Sequence, residues 1–333
     1  MMRRLVCFSL ICAGVILFPF RSPAPLIYTP GEGWRYEAVG GGGNWQRPRA
    51  KDQLIVAQEA FDKKEYSLAL KAARRVVNIW PLSDFAPQAQ FIVGRCYETK
   101  GWDEKAFKEY QALLEKYPKA VHYDEVLKRQ HEIALRFLAG EWFRVWDYLP
   151  LYPSMDKTAD LFEKIVKTGP YSSVAPQSQM KIGETREKQK NYADAAKAYE
   201  LAADRYYDRP AIASDALFKE ALAYKKQAAT AEYDQNTAAQ AITVFTDFMT
   251  LYPDDARVPE AQKIIAALRV EQARGNLEIA RYYEKRSHTE AARIYYNEVV
   301  TLSLGEANSP YAETAKARLT EINAQLRKEN GSK

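Results

Sequence analysis

Residues 86–99 read APQAQFIVGRCYET, and residues 175–188 read APQSQMKIGETREK. Both stretches begin with alanine, proline and glutamine, and both carry a glycine at the ninth position, at Gly94 and Gly183. Similarity between distant parts of one chain is the signature of a repeat architecture, in which each copy is one supersecondary unit. A shorter period lies within these two stretches.

The shorter period matches the tetratricopeptide pattern. Gly94 and Tyr97, followed by Ala106, Tyr110 and Pro118, reproduce its order of small, aromatic and proline positions. A small residue, a residue packed four positions later and a following proline recur at Ala69/Ala73/Pro81, Thr158/Phe162/Pro170, Ala195/Tyr199/Pro210, Ala241/Phe245/Pro253 and Ala291/Tyr295/Pro310.

Each position of the pattern has a mechanical reason. The small residue lets two antiparallel helices approach, and the residue four positions later lies on the same helical face and fills the next gap. Proline ends the second helix, and hairpins stack because one hairpin cannot bury its apolar face alone. The pattern predicts an all-α, tetratricopeptide-like helical-hairpin solenoid of about six repeats over residues 51–326. We divide it into N-terminal repeats, 51–209, and C-terminal repeats, 210–326, before a disordered tail at 327–333.

Three stretches depart from the regular pattern. A long helix is expected over Tyr123–Ala139, followed by an aromatic-rich loop over Trp142–Pro153, because two prolines three residues apart do not fit inside a helix. A second long helix is expected over Pro259–Arg286, with Gly275 as its candidate break.

The aromatic-rich loop has two interpretations. Exposed tryptophans at Trp142 and Trp146 are typical of a partner-binding hot spot. We favour burial against the edge of the solenoid, because exposed tryptophans promote aggregation.

The N-terminus has the features of a signal peptide over residues 1–24. Two arginines precede the mostly apolar run Leu5–Phe20, which is short for a membrane-spanning helix. An uncleaved membrane anchor is the alternative, and lipidation at Cys12 is less favoured because that cysteine lies in the middle of the run. Residues 25–50, rich in proline and glycine, are expected to form a flexible tether.

Composition and charge argue against catalysis and nucleic-acid binding. Three arginines in the leader account for three of the five net positive charges, so the remaining chain is nearly neutral. His122, His131 and His288 are too scattered for a zinc site, and Cys96 is expected to be a packed thiol. We therefore expect no catalytic residue, no metal site and no cofactor.

The concave side of the repeats is the candidate site. In a tetratricopeptide stack the first helix of each hairpin lines this side, which suits an extended or helical peptide. Ordinary solvated helix faces are an equally acceptable interpretation. The expected groove residues are Leu54, Gln58, Phe61, Gln88, Phe91, Arg95, Glu98, Gln177, Met180 and Glu184.

The C-terminal half resembles the BamD (YfiO) family. The resemblance rests on Tyr233–Thr237, on Phe245 to Tyr252-Pro253, and on residues 277–286, which read LEIARYYEKR. It extends over roughly residues 52–322, although the chain has an extra repeat and an aromatic insertion, and no evident lipid-bearing cysteine.

The resemblance implies a non-catalytic periplasmic scaffold of the outer-membrane β-barrel protein assembly machinery. Its implied partners are unfolded outer-membrane proteins, at the N-terminal repeats, and the barrel subunit of the assembly complex, at the C-terminal repeats. Residues Tyr282, Tyr283, Arg286 and Tyr295 are the candidate docking residues. Association with the outer membrane is expected through the partner or through a lipid. The alternative function is another exported scaffold that coordinates envelope constriction or polysaccharide secretion.

Overall fold

The computed structural model describes residues 26–29, 33–36, 45–119, 122–145, 149–230, 235–303 and 309–331. It forms two compact units, the N-terminal unit up to Val126 and the C-terminal unit from Leu127 onward. The division at 209/210 is a sequence prediction that does not coincide with this boundary. The predicted signal peptide and Cys12 lie outside the described residues.

In its described residues, the N-terminal unit has a small β-hairpin, two helical hairpins and the start of a further helix. Strands β1 (Leu26–Thr29) and β2 (Gly33–Tyr36) pair antiparallel within the stretch expected to be a tether. The helices are α1 (Ala50–Asp62), α2 (Tyr66–Ile79), α3 (Ala86–Thr99) and α4 (Asp103–Lys116).

The C-terminal unit continues the same architecture with longer helices. Helix α5 (Tyr123–Leu138) runs across the boundary between the units. After it come β3 (Phe143–Val145), β4 (Leu149–Tyr152), α6 (Met155–Thr168), α7 (Ala175–Lys188), α8 (Tyr192–Arg205), α9 (Pro210–Thr230), α10 (Gln235–Leu251), α11 (Val258–Lys285), α12 (Thr289–Leu302) and α13 (Pro310–Gly331). Helix α13 therefore continues past residue 326, where the solenoid was expected to end.

The predicted fold class is confirmed, because consecutive helices form antiparallel hairpins in both units. Ala106 and Tyr110 are fully buried between α3 and α4. Gly94 lies against that tyrosine, since a methyl group added at Gly94 would be 2.3 Å from Cε1 of the ring. The small and aromatic positions thus pack as the repeat pattern predicts.

A polar contact closes three of the hairpins in the same way. The hydroxyl group of Tyr110 donates a hydrogen bond of 2.6 Å to Glu98, and that of Tyr296 donates one of 2.6 Å to Glu284. Tyr199 forms the equivalent bond with Glu187, and the pKa of this tyrosine is raised chiefly by burial. Each bond joins the second helix of a hairpin to its first helix and satisfies a buried hydroxyl group.

The last copy of the pattern is shifted by one residue relative to the prediction. Ala292 and Tyr296 are the buried pair, whereas Ala291 and Tyr295 are half-buried. The sequence contains two adjacent alanines and two adjacent tyrosines there, so spacing alone does not decide between the registers.

Helix α5 confirms the long helix expected near residues 123–139, but two other local predictions were wrong. The aromatic-rich stretch forms the antiparallel hairpin β3–β4, in which Arg144 pairs with Pro150. Helix α11 confirms the second long helix and continues through Gly275 without a break. That glycine serves close packing, because a methyl group there would be 2.8 Å from the amide nitrogen of Gln235.

Among the described residues, no helix combines the length and the apolar character needed to cross a bilayer.

Candidate functional site

The N-terminal unit carries a depression, here called the groove, on the first helices of its two hairpins. It has a volume of about 210 Å³. The lining residues are Gln58, Phe61, Gln88, Phe91, Ile92, Arg95 and His122. Five of these, all except Ile92 and His122, belong to the predicted set, so the structure brings that part of the prediction together.

Helix α3 positions the groove residues because its opposite face is fixed in the core. Gln88, Phe91 and Arg95 follow one another at helical spacing, while Ala89 and Val93 are buried on the other side. The ring of Phe91 is only 8% exposed, so it forms the floor of the groove rather than a projecting contact.

A guanidinium group is the central charge of the groove. Arg95 lies over the rings of Phe61 and Phe91, at 5.4 and 5.9 Å from their centroids. Its Nε is buried without a hydrogen-bond partner and lies 3.9 Å from Glu98, which already accepts the hydroxyl group of Tyr110. The guanidinium group is therefore held in place by two rings and one carboxylate, and it gives the groove a positive charge.

Sequence reasoning missed His122 as a member of the groove. Its ring stacks on Phe91 with a centroid distance of 4.4 Å and an interplanar angle of 5°, and its Nδ1 is 3.3 Å from Glu125. Its position just before helix α5, the first helix of the next repeat, could have indicated that it lies beside the groove.

Several predicted groove residues lie elsewhere. Leu54 is buried in α1 and does not line the groove. In the C-terminal unit, Gln177 is exposed, and Glu184 forms an ion pair of 2.6 Å with Lys181. Met180 is only 7% exposed and packs in the hydrophobic core, so it presents little surface to a peptide.

The four predicted docking residues form one aromatic cluster, here called the tyrosine cluster. The rings of Tyr283 and Tyr295 stack at 5.5 Å, and Tyr282 meets Tyr283 edge-on at 5.7 Å. Arg286 lies over the ring of Tyr282 at 4.4 Å, and that tyrosine is 50% exposed. His288, which was not predicted, contacts the cluster through Tyr283.

The preferred burial of the tryptophans in the aromatic-rich stretch was wrong for Trp142, which is 53% exposed. Its neighbour Phe143 is buried instead and stacks on Phe137 at 4.1 Å. Trp146 lies outside the described residues.

The groups that most resemble catalytic residues are held in packed environments. Cys96 is fully buried, and burial raises the pKa of its thiol to about 11. Burial lowers the pKa of His131, whose Nδ1 lies 2.8 Å from the hydroxyl group of Ser178. Within the described ranges, no group of three or more histidine, cysteine or acidic residues is arranged to hold a metal ion.

Two family models match parts of the chain. The model of YfiO, described as an outer membrane lipoprotein, matches residues 153–303. A tetratricopeptide-repeat model matches residues 88–120, which include all four groove-lining residues of α3. No curated protein matches the chain significantly.

Solved repeat structures match over much of the chain at low identity. The C-terminal part of a TPR repeat-containing protein from Cytophaga hutchinsonii is 15% identical, with a TM-score of 0.35, covering 80% of this chain and 88% of that one. A tetratricopeptide repeat protein from Parabacteroides merdae is 11% identical, with a TM-score of 0.33, covering 82% and 98%. YrrB, titled a TPR protein with an unusual peptide-binding site, is 11% identical, with a TM-score of 0.33, covering 65% and 92%.

The hairpin packing and the repeat-model match agree with the pattern in the sequence. The chain folds as a stack of tetratricopeptide-like helical hairpins, its residues 88–120 match a tetratricopeptide-repeat model, and its residues 153–303 are similar to the YfiO family of outer membrane lipoproteins.

Proposed function

We propose that the protein is a non-catalytic periplasmic scaffold of the machinery that assembles outer-membrane β-barrel proteins. It binds unfolded barrel clients in the groove and docks the barrel subunit through the tyrosine cluster. The similarity of residues 153–303 to outer membrane lipoproteins supports the location at the outer membrane. The two sites lie in different units, so each contact can be tested by itself.

The chemistry of the groove suits an extended peptide. Gln58 and Gln88 carry amide groups that can donate hydrogen bonds to, and accept them from, the backbone of a peptide. An extended peptide needs such partners because its own backbone groups are unpaired. Phe61 and Phe91 offer aromatic surface, and a nearby guanidinium group adds a positive charge. The single observation that carries the proposal is the Arg95 guanidinium group, which lies over Phe61 and Phe91 in a groove that two glutamine side chains also line.

The tyrosine cluster suits a protein partner. Exposed tyrosine and arginine side chains are the residue types that contribute most to binding at protein interfaces. Tyr282 and Arg286 contact each other, so both are already ordered before a partner arrives.

Site-specific photocrosslinking tests client binding. A photoreactive amino acid at Gln58 or Gln88 should crosslink to an unfolded barrel protein, because both side chains line the groove. The matched control positions are Lys71 on α2 and Lys108 on α4, which are exposed and do not line it. Equal crosslinking from the control positions would contradict a peptide groove.

Affinity purification from solubilised envelope tests the docking partner. The tagged chain should recover the barrel subunit of the assembly complex, and the Tyr282→Ala/Arg286→Ala variant should recover less of it. Recovery of a division or polysaccharide-export complex in its place would favour the alternative scaffold function. Inhibition of lipoprotein processing by globomycin, read as a size shift, tests whether Cys12 carries a lipid.

A further inference from the structure

The C-terminal unit carries a second depression, here called the hollow, between α6, α7 and α8. Its volume is about 550 Å³. Val166 of α6 and Ile182 of α7 are nearly buried and form an apolar floor, whereas Leu201 of α8 is 50% exposed beside them. One apolar side chain of a ligand could therefore cover Leu201 and fill the space above the floor.

Three exposed cations line the hollow without an acidic partner. They are Lys167 in the last turn of α6, Lys197 in the middle of α8, and Arg205 at the end of α8. None of them forms an ion pair with a residue that the structure describes. Because they surround one depression, an anionic ligand could contact more than one of them at once.

The two acids that line the hollow are already engaged. Glu163 pairs at 3.3 Å with Arg186, which also pairs with Asp156 at 3.1 Å. The carboxylate of Asp194 accepts a hydrogen bond of 2.6 Å from the side chain of Asn191, at the beginning of α8. The charge that remains available to a ligand is therefore positive, and it lies toward the carboxyl end of α8.

Helix α8 arranges its hollow-lining residues in a regular stripe. Lys197, Leu201 and Arg205 are four residues apart, so they share one face and follow one another at intervals of about 6 Å along the helix axis. Glu200 and Asp204 are displaced from this stripe by about 100° around the helix and do not line the hollow. The stripe thus presents a cation, an apolar side chain and a second cation in that order.

The spacing of the stripe matches that of an extended chain. Alternate side chains of a β-strand point to the same side and are about 6.6–6.8 Å apart, close to the interval along α8. An acidic, an apolar and an acidic residue at alternate positions would therefore meet Lys197, Leu201 and Arg205 together. A helix could carry the same residues at four-residue spacing, but a helix of so few turns is only marginally stable in water.

Two exposed tyrosines lie beyond the carboxyl end of the stripe. Tyr171, in the turn after α6, is 90% exposed, and Tyr207, in the turn after α8, is 77% exposed. The two turns are in contact, because the hydroxyl group of Tyr206 donates a hydrogen bond of 3.1 Å to the backbone carbonyl of Pro170. Exposed tyrosines beside cations have the composition of a protein interface.

We propose that the hollow docks an extended acidic segment of a protein partner, in which an apolar residue lies between two acidic residues at alternate positions. The acids pair with Lys197 and Arg205, the apolar side chain covers Leu201, and the chain continues over the two exposed tyrosines. An anionic membrane fits less well, because a flat bilayer does not reach the floor of a depression between three helices. This site is separate from the groove and from the tyrosine cluster.

Fluorescence anisotropy with the full chain tests the register of the segment. The probe is the labelled peptide Phe-Ser-Asp-Ser-Leu-Ser-Asp-Ser-Phe, whose apolar and acidic side chains all point to one side when it is extended. The control peptide, Phe-Ser-Ser-Asp-Leu-Asp-Ser-Ser-Phe, has the same composition and charge but turns its acids to the other side. The control should bind about threefold to tenfold more weakly, because two ion pairs are lost. Binding of the probe should weaken at high ionic strength.

Charge reversal tests the two cations of the stripe. Lys197→Glu/Arg205→Glu should weaken binding of the probe at least about tenfold. A probe in which lysines replace the two aspartates should bind this variant more tightly than it binds the unchanged chain. The matched control, Lys263→Glu/Arg269→Glu, reverses two exposed charges of α11 and should bind the probe as the unchanged chain does. Circular dichroism confirms that each variant is folded.

Serine substitutions test the apolar contacts. Leu201→Ser and Tyr171→Ser/Tyr207→Ser should each weaken binding of the probe about threefold or more. All three side chains are exposed, so their loss should leave the fold intact. Ile294→Ser, which removes another exposed aliphatic side chain on α12, is the control and should have no effect.

Three results would overturn the proposal. These are equal binding of the probe and the control peptide, unchanged binding of the probe by the charge-reversal variant, and binding of the chain to phosphatidylglycerol vesicles but not to the probe. Loss of client crosslinking in the groove would not affect it, because the groove lies in the other unit.

Discussion

Substituting Gly94 by alanine tests the packing that defines the repeat. The new methyl group would lie 2.3 Å from Cε1 and 2.5 Å from Cδ1 of Tyr110, well inside the contact distance of about 3.5–4.0 Å between carbon atoms. The ring cannot move away easily, because it is fully buried and its hydroxyl group is bonded to Glu98. Overpacking of this kind costs about 1–3 kcal/mol.

Helix propensity has the opposite effect on the free energy of unfolding. Alanine is favoured over glycine inside a helix by about 1 kcal/mol. Since the methyl group overlaps two atoms of a fixed ring, we take the upper end of the overpacking range. We therefore expect Gly94→Ala to lower the free energy of unfolding by about 2 kcal/mol.

A double-mutant cycle isolates the contact. Tyr110→Ala alone should cost about 3–5 kcal/mol, because it removes a fully buried ring. In that background Gly94→Ala should become neutral or stabilising by up to about 1 kcal/mol, since only helix propensity remains. Urea unfolding measures each variant, and hydrogen exchange read peptide by peptide locates the loss in the N-terminal unit.

A second glycine provides the matched control. Gly101 has a φ of +68° and no atom within 4 Å of an added methyl group. Gly101→Ala should therefore cost about 1–2 kcal/mol through backbone strain alone, equally with or without Tyr110. If Gly94→Ala lowers the free energy of unfolding equally with and without Tyr110, contact between residue 94 and the tyrosine ring is not the cause of the loss.

Three further predictions concern the two units. In the unchanged chain the free energy of unfolding should fall between about pH 4.5 and 8, because burial raises the pKa of Glu220 to about 8 and over that range the folded state keeps its proton while the unfolded state has released it. Glu220→Gln should remove this fall. Urea midpoints across pH measure it, and parallel curves for the two proteins would contradict it. Cys96 should resist alkylation at neutral pH until the N-terminal unit unfolds, since burial raises its pKa to about 11; rapid labelling of the folded chain, read by mass spectrometry, is the opposing result. Gly275→Ala should change the free energy of unfolding by less than about 1 kcal/mol, because the overlap with the movable amide group of Gln235 is offset by the helix preference for alanine. In a Gln235→Ala background it should become stabilising by up to about 1 kcal/mol in thermal unfolding, and the same effect in both backgrounds is the opposing result.

The repeat pattern was enough to predict the fold because its small and aromatic residues are the packed contacts themselves. Gly94 and Tyr110 touch in the structure as their spacing indicates. The last repeat shows the limit of this reasoning, since adjacent alanines and adjacent tyrosines fit two registers equally. Burial of Tyr296 instead of Tyr295 is decided by the hydrophobic core that α11, α12 and α13 form together.

The candidate sites were predictable only where one helix carries them. Gln88, Phe91 and Arg95 share a face of α3, so their spacing was informative. His122 comes from the segment before α5, and its contact with Phe91 arises only when that segment packs against α3. The β3–β4 hairpin was missed because Pro150 argued correctly against a helix but did not indicate which other structure forms.

The hydrogen bond from the tyrosine of a second helix to the glutamate of the first helix recurs at Tyr110, Tyr199 and Tyr296. Each of these three hairpins therefore has a bond of its own between its two helices, which does not depend on neighbouring repeats. The outward-facing positions of the first helices are therefore not needed to hold these hairpins together. They can diversify during evolution, and new ligand preferences can arise in one repeat while the others keep theirs.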